Sequence, residues 1–179
     1  KNPVYGEKPI NFVPTNVAFA PNGEFYIGDG YGSHHLMRFS AKGEFIGEIA
    51  RPGKGDGELS NPHGQWVDTR GSEPVLVVAD RGNRRLQTFT LDGRHLRTIK
   101  DEARLRMPCH FHTLGEWMVC PDLDSQVCIL DRNYTVVAQL GDGEFDFDKP
   151  VGVGGVGPAR DMPARDLRDG MAGLGARLK

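Results

Sequence analysis

The sequence predicts an all-β chain, a β-propeller of four-stranded blades, and three observations carry that prediction. A proline-led unit recurs, with Pro14, Pro62 and Pro108 spaced 48 and 46 residues apart. Each unit holds four short apolar runs separated by turn residues. Those runs, of 4 to 6 residues with β-branched and aromatic members, suit strands rather than helices. Four antiparallel strands in a unit of about 40 to 50 residues describe a propeller blade. A sandwich would also supply strands, but not this self-similarity.

Taken in order, residues 1–11 would add a closing strand. The first unit, near 12–50, reads VPTNVAFAPNGEFYIGDGYGSHHLMRFSAKGEFIGEI. Its second apolar run stops at Asp29, passes Gly30, Tyr31, Gly32 and two histidines, and resumes at Leu36, Met37 and Phe39. In the second unit, near 60–100, strands are expected at 65–68, 75–79, 86–89 and 95–99. The third unit, near 106–142, opens MPCHFHTLGEWMVC. Asn22-Gly23, Lys42-Gly43, Asp92-Gly93 and Arg132-Asn133 supply tight hairpin turns. Asp29, Asp80 and Asp122 each close a second run, where a carboxylate can accept backbone N–H bonds from the turn that follows.

Residues 1–142 thus read as about three blades, and 143–179 as an irregular tail without strand alternation. Pro163 keeps blade phase, so the tail reads as a degraded or truncated fourth blade, or as text from a shifted frame. The chain opens with Lys1 rather than Met, as a processed chain or a piece of a longer one would. Three blades without ring closure leave sheet edges open, which invites self-association.

A net charge of −2 argues against a dedicated nucleic-acid or membrane surface. The span 81–106 is basic, with eight Lys/Arg against three Asp/Glu, and reads as a solvated face before an RNA patch. No apolar run approaches the roughly 20 residues that span a bilayer. Cys109, Cys120 and Cys128 lack metal-knuckle or redox-pair spacing. Cys120 and Cys128 flank one turn and admit a hairpin disulfide, although buried free thiols fit a sparse, odd set better. Trp66 and Trp117 sit at strand positions and are expected in the core. His34 and His35 are adjacent and would face opposite ways on a strand, whereas His110 and His112 would share a face.

The pattern VVADRGNRRLQTFTLDG, with an aspartate, a basic residue, Asn83, Arg85, Leu86, Gln87 and Phe89, resembles an NHL repeat. The resemblance covers roughly residues 12–142 and implies a six-bladed propeller. Within that class, the runs PTNVAFAPNGEFYIGDGYGSHHLMRF, NPHGQWVD and VVADRGNRRLQTF look like the amidating lyases that act on peptidyl-α-hydroxyglycine. That likeness implies zinc-dependent C–N cleavage giving a peptide amide and glyoxylate, with bound calcium as a second metal. It makes His63 one of three zinc-binding histidines, Tyr31 the active-site tyrosine and Arg81 an arginine beside the same pocket. A tyrosinate near a cation could serve as base, and an arginine could hold a carboxylate.

The departures are specific. One expected histidine would precede Lys1, and the position after Pro163 holds Ala164. One ligand of three remains, fewer than a catalytic zinc needs. The competing class is a non-catalytic scaffold that binds a protein or peptide on its channel face. On that reading His63, Tyr31 and Arg81 are ordinary structural residues of the repeat.

Overall fold

The computed structural model describes residues 3–5 and 11–141. The tail at 143–179 and most of the proposed closing segment at 1–11 lie outside the described residues, as do Pro163 and Ala164. The described residues form three sheets, each built from four consecutive antiparallel strands. Strands β1 (Asn16–Phe19), β2 (Phe25–Gly28), β3 (Leu36–Phe39) and β4 (Phe45–Pro52) make the first. A two-residue strand, β5 (Glu58–Leu59), adds to it in parallel along β4. The second holds β6 (Pro62–Asp68), β7 (Val75–Asp80), β8 (Arg85–Phe89) and β9 (His95–Ile99). The third holds β10 (His112–Leu114), β11 (Trp117–Asp122), β12 (Gln126–Leu130) and β13 (Val136–Leu140). Among the described residues no helix is long and apolar enough to cross a membrane.

Alternation along each strand decides how the sheets stack. In β7, Leu76 and Val78 join one core with Ala18, Tyr26, Leu36 and Ile49 of the first sheet. Val77 and Ala79 point the other way, into a second core with Phe111 and with Met118, Cys120 and Leu130 of the third. Period-two geometry makes this division automatic. The middle sheet is therefore apolar on both faces and covered on both.

The turns are tight hairpins, as expected, and follow a three-residue pattern. Gly23, Gly43 and Gly93 adopt φ of +85°, +83° and +101°, and each donates its N–H three residues back, to Ala20, Ser40 and Thr90. In the third sheet the same left-handed place is taken by Tyr134, at φ 60°. Its phenol donates to Asp68 Oδ2 at 2.8 Å, and its ring lies 5.7 Å from the Arg70 guanidinium carbon. Burial and the Asp68 charge raise its pKa.

Asp29, Asp80 and Asp122 are buried; Asp29 and Asp122 accept backbone N–H bonds from the turns that follow them, whereas Asp80 accepts the Asn83 side-chain amide instead. They also hold the segment that enters each blade. Asp29 accepts from Val13 N at 2.6 Å, Asp80 from Ser60 N at 2.7 Å, and Asp122 from Arg106 N at 2.9 Å and Met107 N at 2.8 Å. Burial opposes ionisation of Asp29, but bonds from Ser33, Val13 and Tyr5 outweigh it, and its pKa is lowered.

Several smaller expectations change. His34 and His35 precede β3 rather than lying on it, and His34 takes φ 66°, so opposite-face geometry does not apply. Cys109 to Phe111 are not a strand, because only Pro108 bridges Asp122 before β10 starts at His112. Trp66 packs half-buried against the second core, and Trp117 is half-buried outside either core. All three cysteines are buried free thiols, with Cys120 and Cys128 directly opposite across β11 and β12.

Candidate functional site

The innermost strands β1 and β6 run side by side, and the residue after each leading proline meets the next blade. Thr15 Oγ1 donates to Pro62 O at 2.7 Å, and His63 Nδ1 lies 3.0 Å from Cys109 O. The second contact crosses between blades. A carbonyl can only accept, so Nδ1 carries the proton and Nε2 keeps its lone pair.

That lone pair faces Tyr31. The Tyr31 hydroxyl stands 2.9 Å from His63 Nε2 and donates to it, with the rings edge to face at 5.4 Å. Arg81, on the short turn after β7, lies with its guanidinium carbon 5.2 Å from the Tyr31 ring centre and Nη1 3.5 Å from the hydroxyl. The three residues singled out in the sequence therefore converge in one cluster. Tyr31 keeps 51% of its surface open, so the cluster is accessible.

The glycines around Tyr31 are set by close backbone approach. A Cβ on Gly30 would come within 2.4 Å of Pro62 O, and one on Gly32 within 2.0 Å of Asn11 O. Neighbouring backbone, rather than clearance for the tyrosine, excludes side chains there. The tight turn then presents Tyr31 outward, with its own N–H donating to Val13 O at 3.2 Å.

Burial lowers the His63 pKa first. The Cys109 carbonyl partly restores it, and the Arg81 charge lowers it further. The ring is thus neutral near pH 7, as a proton acceptor or metal ligand must be. Burial raises the Cys109 thiol, with Arg81 partly offsetting.

The sequence reading missed the Cys109 carbonyl, a backbone acceptor that no side-chain pattern marks. It also missed Tyr5, whose hydroxyl donates to Asp29 Oδ2 at 3.0 Å, and the contact of Asn16 Nδ2 with His110 Nδ1. His110 and His112 both lie against Trp66, at 6.4 and 5.3 Å between ring centres, which gives them a packing role.

His63 has one nitrogen fixed by a carbonyl, as metal-binding histidines do, but its other nitrogen is engaged by the Tyr31 hydroxyl. A catalytic zinc asks for three protein ligands. Among the described residues no group of three or more His, Cys, Asp or Glu is placed to hold a metal ion. The described residues therefore do not by themselves supply the three-ligand set of a catalytic zinc.

Comparison with known proteins agrees with the architecture. The pattern of a family described as a 6-bladed beta-propeller matches residues 13–118. A probable peptidyl-alpha-hydroxyglycine alpha-amidating lyase of Caenorhabditis elegans is 34% identical over 90 residues, 49% of this chain and 25% of the relative. Peptidyl-glycine alpha-amidating monooxygenase A of Xenopus laevis is 37% identical over 100 residues, 50% of this chain and 10% of the relative. The chain thus spans a quarter or less of these relatives. Among solved structures, a chain of a nidogen/laminin complex superposes with a TM-score of 0.57 at 18% identity, covering 72% of this chain and 47% of that one. That last likeness concerns the fold alone.

Proposed function

Because the chain belongs to the 6-bladed beta-propeller family, we propose that it is an NHL-type propeller of the amidating-lyase kind. Its channel-mouth cluster of Tyr31, His63 and Arg81 receives a small peptide-like carboxylate. The observation that supports this is the single relay running from Arg81 through Tyr31 to His63 and the Cys109 carbonyl.

The chemistry follows from which atom holds each proton. The substrate class is an acyl-α-hydroxyglycine, whose carboxylate pairs with the Arg81 guanidinium. Tyr31 passes its proton to His63 Nε2 while its oxygen takes the proton of the substrate hydroxyl. The C–N bond breaks as the hydroxyl carbon becomes the aldehyde of glyoxylate. The leaving amide nitrogen takes its proton back from the same relay. No step is routed through a metal, since the described residues supply no three-ligand set.

The same lack of a three-ligand set favours a second reading, a scaffold that binds a peptide at this cluster without turning it over. One experiment separates them. The purified chain is given an acyl-α-hydroxyglycine, with glyoxylate release and binding both measured, for the parent and for Tyr31→Phe and Arg81→Ala. Glyoxylate release lost in Tyr31→Phe supports the lyase reading. Binding lost only in Arg81→Ala, with no release from any variant, supports the scaffold. Binding and release unchanged in both variants remove the site altogether.

A further inference from the structure

Near the Tyr31–His63–Arg81 cluster, one bond joins the first blade to the third past the second. Asn16, which opens β1, places its side-chain nitrogen 2.5 Å from His110 Nδ1, 94 residues away in the chain. A bond that skips the middle blade forms on the inner side of the arc, where the edge strands β1, β6 and β10 converge on the channel. Gly64 of β6 makes room for it. A Cβ there would come within 2.2 Å of Cys109 O and 2.8 Å of His110 Cα, so the entry to the third blade lies directly on the inner strand of the second.

The contact settles where the protons of the pair lie. An amide nitrogen only donates, so His110 Nδ1 accepts. Burial first, and the His112 charge second, lower the His110 pKa. The neutral ring then carries its single proton on Nε2. Trp66 meets that ring edge to face at 6.4 Å and holds its plane. No described residue bonds Asn16 Oδ1 or His110 Nε2, so the pair offers one acceptor and one donor to the channel. His63 is the opposite case, with its proton on Nδ1 and its Nε2 taken by Tyr31.

One acceptor beside one donor matches the backbone of a residue in a peptide, which brings one N–H and one C=O. It does not match a carboxylate, which only accepts, or an ammonium, which only donates. We propose that Asn16 and His110 form a backbone-reading subsite for the residue that precedes the α-hydroxyglycine. Asn16 Oδ1 accepts that residue's N–H, and His110 Nε2 donates to its C=O. This inference rests on the reading in which Arg81 holds the carboxylate, and it narrows the substrate class from any acyl group to a peptidyl one.

The test measures binding to the full chain by calorimetry, with two probes that lack the hydroxyl and so are not cleaved. N-acetylphenylalanylglycine carries the preceding residue's N–H. N-(3-phenylpropanoyl)glycine has the same ring, carbonyl and carboxylate without it. The parent is expected to bind the first about five- to tenfold tighter, the worth of one hydrogen bond. Asn16→Ala, with unchanged β-type circular dichroism, is expected to bring that ratio to about one. His110→Phe is expected to weaken both probes, since their shared carbonyl loses its donor. Nitrogen NMR of the parent is expected to show the His110 proton on Nε2. A parent ratio near one, a ratio that Asn16→Ala leaves in place, or a His110 proton on Nδ1 would each overturn the subsite. If Arg81→Ala still abolishes binding of both probes in that case, the Tyr31 cluster stands without it. A parent that binds neither probe overturns both readings.

Discussion

At the scale of single residues, His63 and Tyr31 give the sharpest expectations. Burial holds the folded His63 pKa below its ordinary 6.5, and His110 is lowered by burial too. A histidine with a depressed folded pKa binds fewer protons folded than unfolded between those two values, so stability rises with pH in that window. Stability is therefore expected to be full above about pH 6.5 and to fall as acid is added below it. Urea titrations at pH 7.5 and 5.5 on the parent and His63→Gln check this, and the variant should show the smaller difference. Tyr31→Phe should leave the unfolding free energy within about 0.5 kcal/mol of the parent, since half the ring is open and only two exposed contacts, to His63 and Arg81, are lost. A larger loss would mean that the phenol is structural rather than a site group.

At the scale of the element, the aspartate at the end of each second strand does more than the turn rule foretold. Asp80 takes the Arg85 guanidinium at 2.6 Å, Asn83 and Gln87 amides, and the Ser60 N–H. Arg85 and Gln87 reach on to the carbonyls of Gly55 and Glu58, tying the incoming strap to the blade. Asp80→Ala removes the buried carboxylate that faces Arg85, leaving only the exposed Asp56 at 4.0 Å and two carbonyls, which is expected to cost about 3–5 kcal/mol. Asp122→Ala loses only N–H partners from Arg106, Met107 and Asp124, and should cost about 1–3 kcal/mol. Equal losses in chemical denaturation would refute this ranking.

The same elements show what the sequence could and could not reveal. Blade spacing and the turn glycines were legible, because strand period and positive φ restrict residue type locally. The upstream partners of the aspartates were not, since Val13 and Ser60 lie 16 and 20 residues away in chain. Tyr134 was equally hidden, because its left-handed turn is held by Asp68 of another blade rather than by a glycine. Tyr31, His63 and Arg81 could be named only by family likeness. Their meeting depends on how two blades stack, which no local pattern encodes.

At the scale of the whole molecule, stability is shared between neighbours rather than stored in each blade. Residues 76 and 78 serve one interblade core and 77 and 79 the other, so β7 couples all three sheets. Repeat proteins with strong interfaces unfold as one unit, and those with weak ones fray from the ends. Both cores here hold large, fully buried side chains, Tyr26 and Phe89 in the first and Phe111 and Met118 in the second. Strong coupling is therefore expected, with urea transitions by far-ultraviolet circular dichroism and by tryptophan fluorescence that coincide. Phe89→Ala opens a cavity in the first core and should cost about 3–5 kcal/mol. The discriminating signal is Trp66, which packs on the second core and not on Phe89. Under strong coupling its transition moves to lower urea together with the dichroism. If Phe89→Ala splits the two probes and leaves the Trp66 midpoint in place, the blades are independent and the interblade cores do not unify the fold.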